Sequence, residues 1–241
     1  MRRRTVLAAM MCSAAMVSSA CQSPGDPAPK QPARPTVLLY DMNEAVGATV
    51  MSDTGGTAVS GAIGTDVVTG VESGGATGYR FPRVDPRTTV VRPGHLAQIP
   101  DSAAVDPGDA AYSVEIRYLT RAANGSNLVQ KGQATSPGGQ FKIQVDKGNP
   151  QCYFKGDRGK VGAGSSTRLD DGAWHTLRCS RTSSAVSLYV DGVLEKESAG
   201  QVGTLDNTFP MTIGGKARCD MVKVECDYFD GLIDYLKITK G

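Results

Sequence analysis

The segment AWHTLRCSRTSSAVSLYVDGV, Ala173 to Val193, leaves little choice of local structure. Its first half puts His175, Leu177 and Cys179 on one side and Trp174, Thr176, Arg178 and Ser180 on the other. In its second half Val186, Leu188 and Val190 oppose Ser187, Tyr189 and Asp191. A period of two with one apolar side is the pattern of a strand lying over a core. The small polar run Thr182 to Ala185 separates the arms, and Asp191-Gly192 supplies a tight turn after the second. The stretch is therefore predicted to be a β-hairpin on which a sheet is built.

Shorter pieces repeat the pattern. From Ala111 to Arg121, Tyr112, Val114, Ile116 and Tyr118 share one face, while Ser113, Glu115 and Arg117 share the other with Leu119. Phe141, Ile143 and Val145 line one side of Gln140 to Val145, and Cys152 and Phe154 one side of Gln151 to Lys155. Further strands are predicted at Val37 to Tyr40, Tyr79 to Phe81, Thr88 to Arg92, Leu128 to Lys131, Pro210 to Gly214 and Gly231 to Lys240. The last carries a bulge, because Leu232 and Tyr235 differ in parity. Gly47 to Gly78 reads as loops and short strands at an edge, and Gly156 to Ser166 as a glycine-rich basic loop. That loop lacks GxxxxGK[ST], which excludes a phosphate cradle. With 29 glycines and 13 prolines in 241 residues and no long apolar run of helical period, the fold class is all-β.

Before this domain, residues 1–20 join Arg2, Arg3 and Arg4 to an apolar, small-residue run, the form of a secretory signal. Arg3-Arg4-Thr5-Val6-Leu7 resembles the twin-arginine export pattern. Ser18-Ser19-Ala20-Cys21 resembles a bacterial lipobox, with Ser where that pattern prefers Leu, and five prolines between Gln22 and Thr36 make a stiff tether. The expected organisation is a signal peptide over 1–20, a lipid-anchored or flexible proline-rich linker over 21–36 with Cys21 as the lipidation site, and one β-sandwich over 37–241. This places the protein outside the cytoplasm, as an outward-facing membrane lipoprotein or otherwise secreted. Without Arg2–Arg4 the balance is 23 basic against 24 acidic residues. Such a surface offers nothing electrostatic to nucleic acid or to an anionic membrane, so the only membrane link expected is the lipid anchor.

Once Cys12 leaves with the signal and Cys21 is lipidated, Cys152, Cys179, Cys219 and Cys226 remain. An even number in an exported chain argues for disulfides. Of the three possible pairings, Cys152–Cys179 with Cys219–Cys226 is favoured, the first joining neighbouring strands and the second closing a short loop. The CxxC pairs of a zinc site are missing.

The order of features resembles a laminin G-like domain of the concanavalin A-like lectin/glucanase superfamily over roughly residues 37 to 240. The resemblance rests on Asp171-Gly172-x-Trp174-His175-x-Leu177-x-Cys179-x-Arg181 and Leu188-x-Val190-Asp191-Gly192. Asp41-Met42-Asn43-Glu44, Met51-x-Asp53, Gly56, Tyr79-Arg80-Phe81, Tyr112 to Tyr118, Ile213-Gly214-Gly215 and Phe229-x-Gly231-x-Ile233-Asp234-x-Leu236-x-Ile238 add to it. It implies a two-sheet antiparallel jelly-roll sandwich. Family members bind glycans or proteins, sometimes through calcium, and some superfamily relatives cleave polysaccharides.

Trp174, the only tryptophan, is either a stacking platform for a sugar or packing for the sheet or the glycine-rich loop. Asp53 and Asp171, with Asp41 and Asp170, are the carboxylates best suited to calcium, although Asp-Gly pairs also simply make turns. His175 reads as a satisfied sheet histidine, and His95 lies beside a turn without a defined partner. Asn124-Gly125-Ser126, formally a glycosylation sequon, reads as a turn. Glu225-x-Asp227-x-x-Asp230 looks superficially like a glucanase carboxylate run, but Cys226 interrupts it, its last member is Asp, and the tryptophans of a sugar cleft are missing. No GxSxG is present. The expected function is a noncatalytic extracellular module recognising glycan or protein at the bacterial cell surface. A glycoside hydrolase-like enzyme and a structural envelope protein are the alternatives.

Overall fold

The computed structural model describes residues 35–85, 88, 90–123, 125–218 and 226–241. Residues 1–34, with the signal and Cys21, lie outside the described residues, as do Asn124, Cys219 and Glu225. Among the described residues sixteen strands form two antiparallel sheets in a jelly-roll sandwich. Sheet A starts at an edge strand, β14 (Val193–Ala199), and continues through β13 (Ala185–Val190), β12 (Trp174–Arg181) and β7 (Tyr112–Leu119) to β16 (Gly231–Lys240). The first part of β16 pairs with β5 (Ala76–Phe81), beyond which lies β4 (Val68–Ser73); its second part pairs with β1 (Thr36–Tyr40). Sheet B runs β11 (Gly159–Gly164), β10 (Asn149–Gly156), β9 (Gln140–Asp146), β8 (Ser126–Lys131), β15 (Met211–Ile213), β6 (Ala97–Ile99), β3 (Gly61–Ile63) and β2 (Val50–Met51).

The organising hairpin forms as its pattern requires. Leu177, Cys179 and Arg181 face Val190, Leu188 and Val186 across β12 and β13. Asp191 and Gly192, at φ 48° and 83°, then turn the chain into β14, the left-handed pair that a two-residue hairpin loop needs. Tyr112, Val114, Ile116 and Tyr118 of β7 are all buried. Tyr112 meets Phe141 and Phe154 edge-on at 6.2 Å, and those two rings stack at 4.9 Å. The expected bulge in β16 falls between Ile233 and Tyr235, and it sends Asp234 toward Arg117, 2.5 Å away.

Three expectations need correction, and one strand was missed. Cys152 and Cys179 are bonded, but β10 and β12 belong to different sheets, so the bond staples the sandwich through its core instead of joining neighbouring strands. Cys226 is disulfide-bonded as well. Most of the glycine-rich stretch is not loop: after a turn, Gly159–Gly164 becomes β11, because Gly162 and Gly164 face Tyr153 and Gln151, whose bulk sits over them. No strand forms at the described residues of Thr88 to Arg92, where Val90 and Val91 are exposed. Last, β14 was not evident as a strand: VLEKESA is almost wholly exposed, with Glu195, Lys196 and Glu197 along an open sheet edge.

Candidate functional site

The residues singled out from sequence are mostly committed to the fold. Both oxygens of Asp53 are used, by the backbone N–H groups of Leu39, Gly55, Thr57 and Ala58 and by the Thr57 hydroxyl, at 2.7–3.0 Å. Burial works against this carboxylate, yet the bonds from Leu39, Thr57 and Gly55 prevail and hold its carboxyl below the usual range. Asp171 accepts from Ala173 N–H at 2.8 Å and meets His175 Nε2 at 3.2 Å. Its carboxyl is likewise held low, first by the Ala173 bond and then by His175. The two aspartates sit toward opposite ends of sheet A: Asp53 bonds Leu39, which pairs with Lys237, whereas Asp171 precedes Trp174, whose row runs through Leu119 to Leu232. Among the described residues no group of three His, Cys, Asp or Glu side chains is arranged to hold a metal ion. Asp53 and Asp171 therefore do not share one site, whereas a calcium ion takes six to eight oxygens from one place.

His175 is clamped from both sides, with Asp191 on Nδ1 at 2.9 Å and Asp171 on Nε2. Burial opposes its charge, but the bonds to Asp191 and Asp171 outweigh it and the imidazole pKa is raised. His95, fully buried in a 3-10 turn (Pro93–His95), has a partner that sequence did not suggest: its Nε2 lies 2.9 Å from the Phe229 carbonyl. Burial lowers its pKa.

Trp174 is half-buried and occupied. Its indole N–H donates to Ser73 O at 3.1 Å, the Arg117 guanidinium lies 4.9 Å from the ring centre, and Gly74 at the tip of the β4–β5 hairpin sits against it. The packing partner is thus Gly74, not the glycine-rich stretch near residue 160. Arg117, Asp234 and Trp174 open a series of paired groups across the outer face of sheet A, which continues with Tyr235 donating to Glu115 at 2.9 Å and Arg178 lying 3.8 Å from the Tyr189 ring.

The outer face of sheet B has a different chemistry. Strand register aligns Gln98, Thr212, Gln130, Lys142, Tyr153 and Gly162 in one row across six strands, with Asn127, Gln144, Gln151 and Gly164 beside it. Half of this polar face is covered. Asn127 N–H donates to Asp227 O, the Asp227 carboxylate takes Lys142 at 3.3 Å and Lys216 at 3.0 Å, and Gln133 donates to Arg218 O. The part over β10 and β11 stays open. There a recess of about 480 Å³ is lined by Asn149, Gln151, Tyr153, Lys160, Gly162 and Ser165 among others. Gln144 Nε2 donates to Gln151 Oε1 at 2.9 Å, the Tyr153 hydroxyl to Gln140 Oε1 at 3.0 Å, and Lys160 Nζ lies 3.7 Å from the Tyr153 ring centre. Asn149 Oδ1 has no hydrogen-bond partner among the described residues. Glycines as floor, one aromatic ring and interlinked amides form a shallow bed for a flat ligand bearing many hydroxyls. Neither sequence motif nor charge marked this bed, because each of its residues reads as the ordinary wet side of a strand. Of the carboxylate run, Asp227 is the ion-pair partner just described and Glu225 lies outside the described residues.

Comparison with known proteins bears on the whole domain. A family model described as the concanavalin A-like lectin/glucanases superfamily, of laminin G type, matches residues 94–241. No curated protein sequence matches. Among solved structures, domain 4 of AbnA, an extracellular GH43 arabinanase from Geobacillus stearothermophilus, in complex with arabinotriose, is 18% identical with a TM-score of 0.59, covering 86% of this chain and 93% of that one. The binding domain of Paraclostridial Mosquitocidal Protein 1 is 11% identical with a TM-score of 0.58, covering 86% and 47%. Domains LG4-5 of the mouse laminin α1 chain are 17% identical with a TM-score of 0.50, covering 60% and 40%. The chain thus spans less than half the length of the latter two. At these identities the likeness is one of fold.

Proposed function

Because the chain belongs to the laminin G-like group of the concanavalin A-like lectin/glucanase superfamily, we propose that it is a noncatalytic extracellular module that binds a glycan on the open part of sheet B. The observation that carries this reading is the recess floored by Gly162 and Gly164 and bordered by Tyr153, Gln151 and Asn149. Amides present donors and acceptors to sugar hydroxyls, and a tyrosine ring beside glycine gives a sugar's C–H face something to lie on. The arabinotriose bound by the fold-related arabinanase domain makes a short neutral oligosaccharide the first ligand to test.

The basic start, apolar run, Cys21 and five prolines support export and a lipid tether on the outer side of a bacterial membrane. Replacement of Cys21 by Ser is expected to move the protein from the membrane fraction to the medium; an unchanged distribution removes the anchor from this account.

The deciding experiment is a glycan array probed with the purified chain and with Tyr153→Ala, each with calcium and with chelator. Saturable binding that is indifferent to chelation and falls at least about tenfold in the variant is the expected result. Failure of the chain to bind any glycan overturns the reading. Binding abolished by chelation also overturns it, since the bed contains no carboxylate cluster.

A further inference from the structure

A cavity of about 720 Å³ lies not in sheet B but at the end of sheet A where β5 and β7 end and β16 begins. Leu119, Leu232 and Pro82 form an apolar floor, Thr120 and Asp230 a wall, and Arg80, Arg83 and Arg121 rise around it. The architecture is fixed. The Thr120 hydroxyl donates to Asp230 O at 2.6 Å, and the row Trp174, Leu119, Leu232 and Arg80 is in register across four strands.

Arg121 in particular is seated. Its Nη1 donates to Asp171 O at 3.1 Å, and its guanidinium lies where the Cβ of any residue other than glycine at position 172 would overlap it. Gly172 has φ of 81°, so the Asp171-Gly172 turn both needs glycine for its backbone and uses the missing side chain to receive the arginine. Arg80 and Arg83 are exposed and have no hydrogen-bond or ion-pair partner among the described residues. Three guanidiniums against the single carboxylate of Asp230 give the cleft a surplus of positive charge in a chain otherwise close to neutral.

The geometry points to a second binding site, in which the arginine cleft takes the acid groups of a linear acidic glycan, a carboxylate or a phosphate carried on its sugar units. Guanidinium forks match the planar geometry of these anions in pairs, while the Leu119–Leu232 floor receives the sugar's apolar face. The cleft does not suit a nucleic acid: Phe81, its one aromatic lining residue, is fully buried and offers no ring face to a base. This site rests on the reading of the chain as a binding module but not on the bed of sheet B.

The test is titration of the full chain with polygalacturonate, phosphomannan, neutral dextran and polyglutamate, using the wild type, the Arg80→Gln/Arg83→Gln double variant, Arg121→Gln and Tyr153→Ala. The expected result is binding to polygalacturonate or phosphomannan that weakens at least about tenfold in the double variant and in Arg121→Gln, and is unchanged in Tyr153→Ala. Which polymer binds more tightly assigns the acid group. The double variant removes only exposed, unpartnered side chains, so an unchanged melting temperature separates loss of binding from loss of fold. Equal affinity for neutral dextran or polyglutamate, or binding untouched by either arginine variant, overturns the proposal. Loss of neutral-glycan binding in Tyr153→Ala alone leaves the sheet B reading standing while this one falls.

Discussion

The outer faces of the two sheets are built on the same pleat, yet they have been spent differently. On sheet A nearly every large polar side chain near the centre has found another: Arg117 lies with Asp234 and Trp174, Tyr235 with Glu115, Arg178 with Tyr189. Burial and the Glu115 bond push the Tyr235 hydroxyl up to about 12, a sign of how closed that face is. On sheet B the groups are amides, a lysine and a tyrosine, joined to one another but still with capacity toward solvent. Ion pairs satisfy both partners and leave little for a ligand, whereas an amide has donors and acceptors to spare. Aromatic content alone is therefore a poor guide to function here: the conspicuous tryptophan supports the fold, and an unremarked tyrosine faces the recess.

The strongest way to break the comparison is to separate the sheets themselves. Replacing Cys152 by Ala, together with Cys179 by Ala, opens a bond that closes a separation of 27 residues, and the chain-entropy argument expects a loss of about 3–4 kcal/mol. Denaturant unfolding measures it; a loss below about 1 kcal/mol denies the staple its role. Next in size, Trp174→Ala is expected to cost about 2 kcal/mol of stability, through its lost packing on Gly74 and Arg117 and its bond to Ser73, with glycan binding retained. Tyr153→Ala should show the inverse, lost binding with a stability change under about 1 kcal/mol. If both variants lose binding to the same degree, the two faces are not functionally distinct.

Smaller still is the Arg117–Asp234 pair, where Asp234→Asn is expected to cost up to about 1 kcal/mol because Arg117 is a third exposed. The smallest effect is in pH. His175 has a raised pKa in the folded chain, so the contribution of its clamp is fully present below the unfolded value of about 6.5 and is lost as pH rises through the folded value. Thermal melts between about pH 6 and 8 should show this decline in the wild type and a flatter profile in His175→Gln; parallel profiles contradict the clamp.

What sequence made legible follows from where the physics is local. The hairpin at Ala173–Val193, the face of β7 and the bulge before Tyr235 each depend on parity within a dozen residues. The disulfide partners were legible, but their setting was not, since the assignment of β10 and β12 to different sheets depends on pairings with β9, β11, β7 and β13 that alternation does not encode. β11 was hidden because glycine signals turns, and its real reason for glycine is the bulk of Tyr153 opposite Gly162. β14 was hidden because a strand with no buried face has no alternation to detect. The candidate sites were the least legible. The recess and the cleft each collect side chains from separate segments, and no spacing rule unites Arg80, Arg83 and Arg121.

The charged rim at β14 bears on how such modules live together. At high local concentration an open row of strand N–H and C=O groups would invite neighbours to extend one another's sheet. Glu195, Lys196 and Glu197 line that border, and extending the sheet would strip water from charges that gain nothing in return. Crowding is thereby made compatible with each sheet ending where its own strands end.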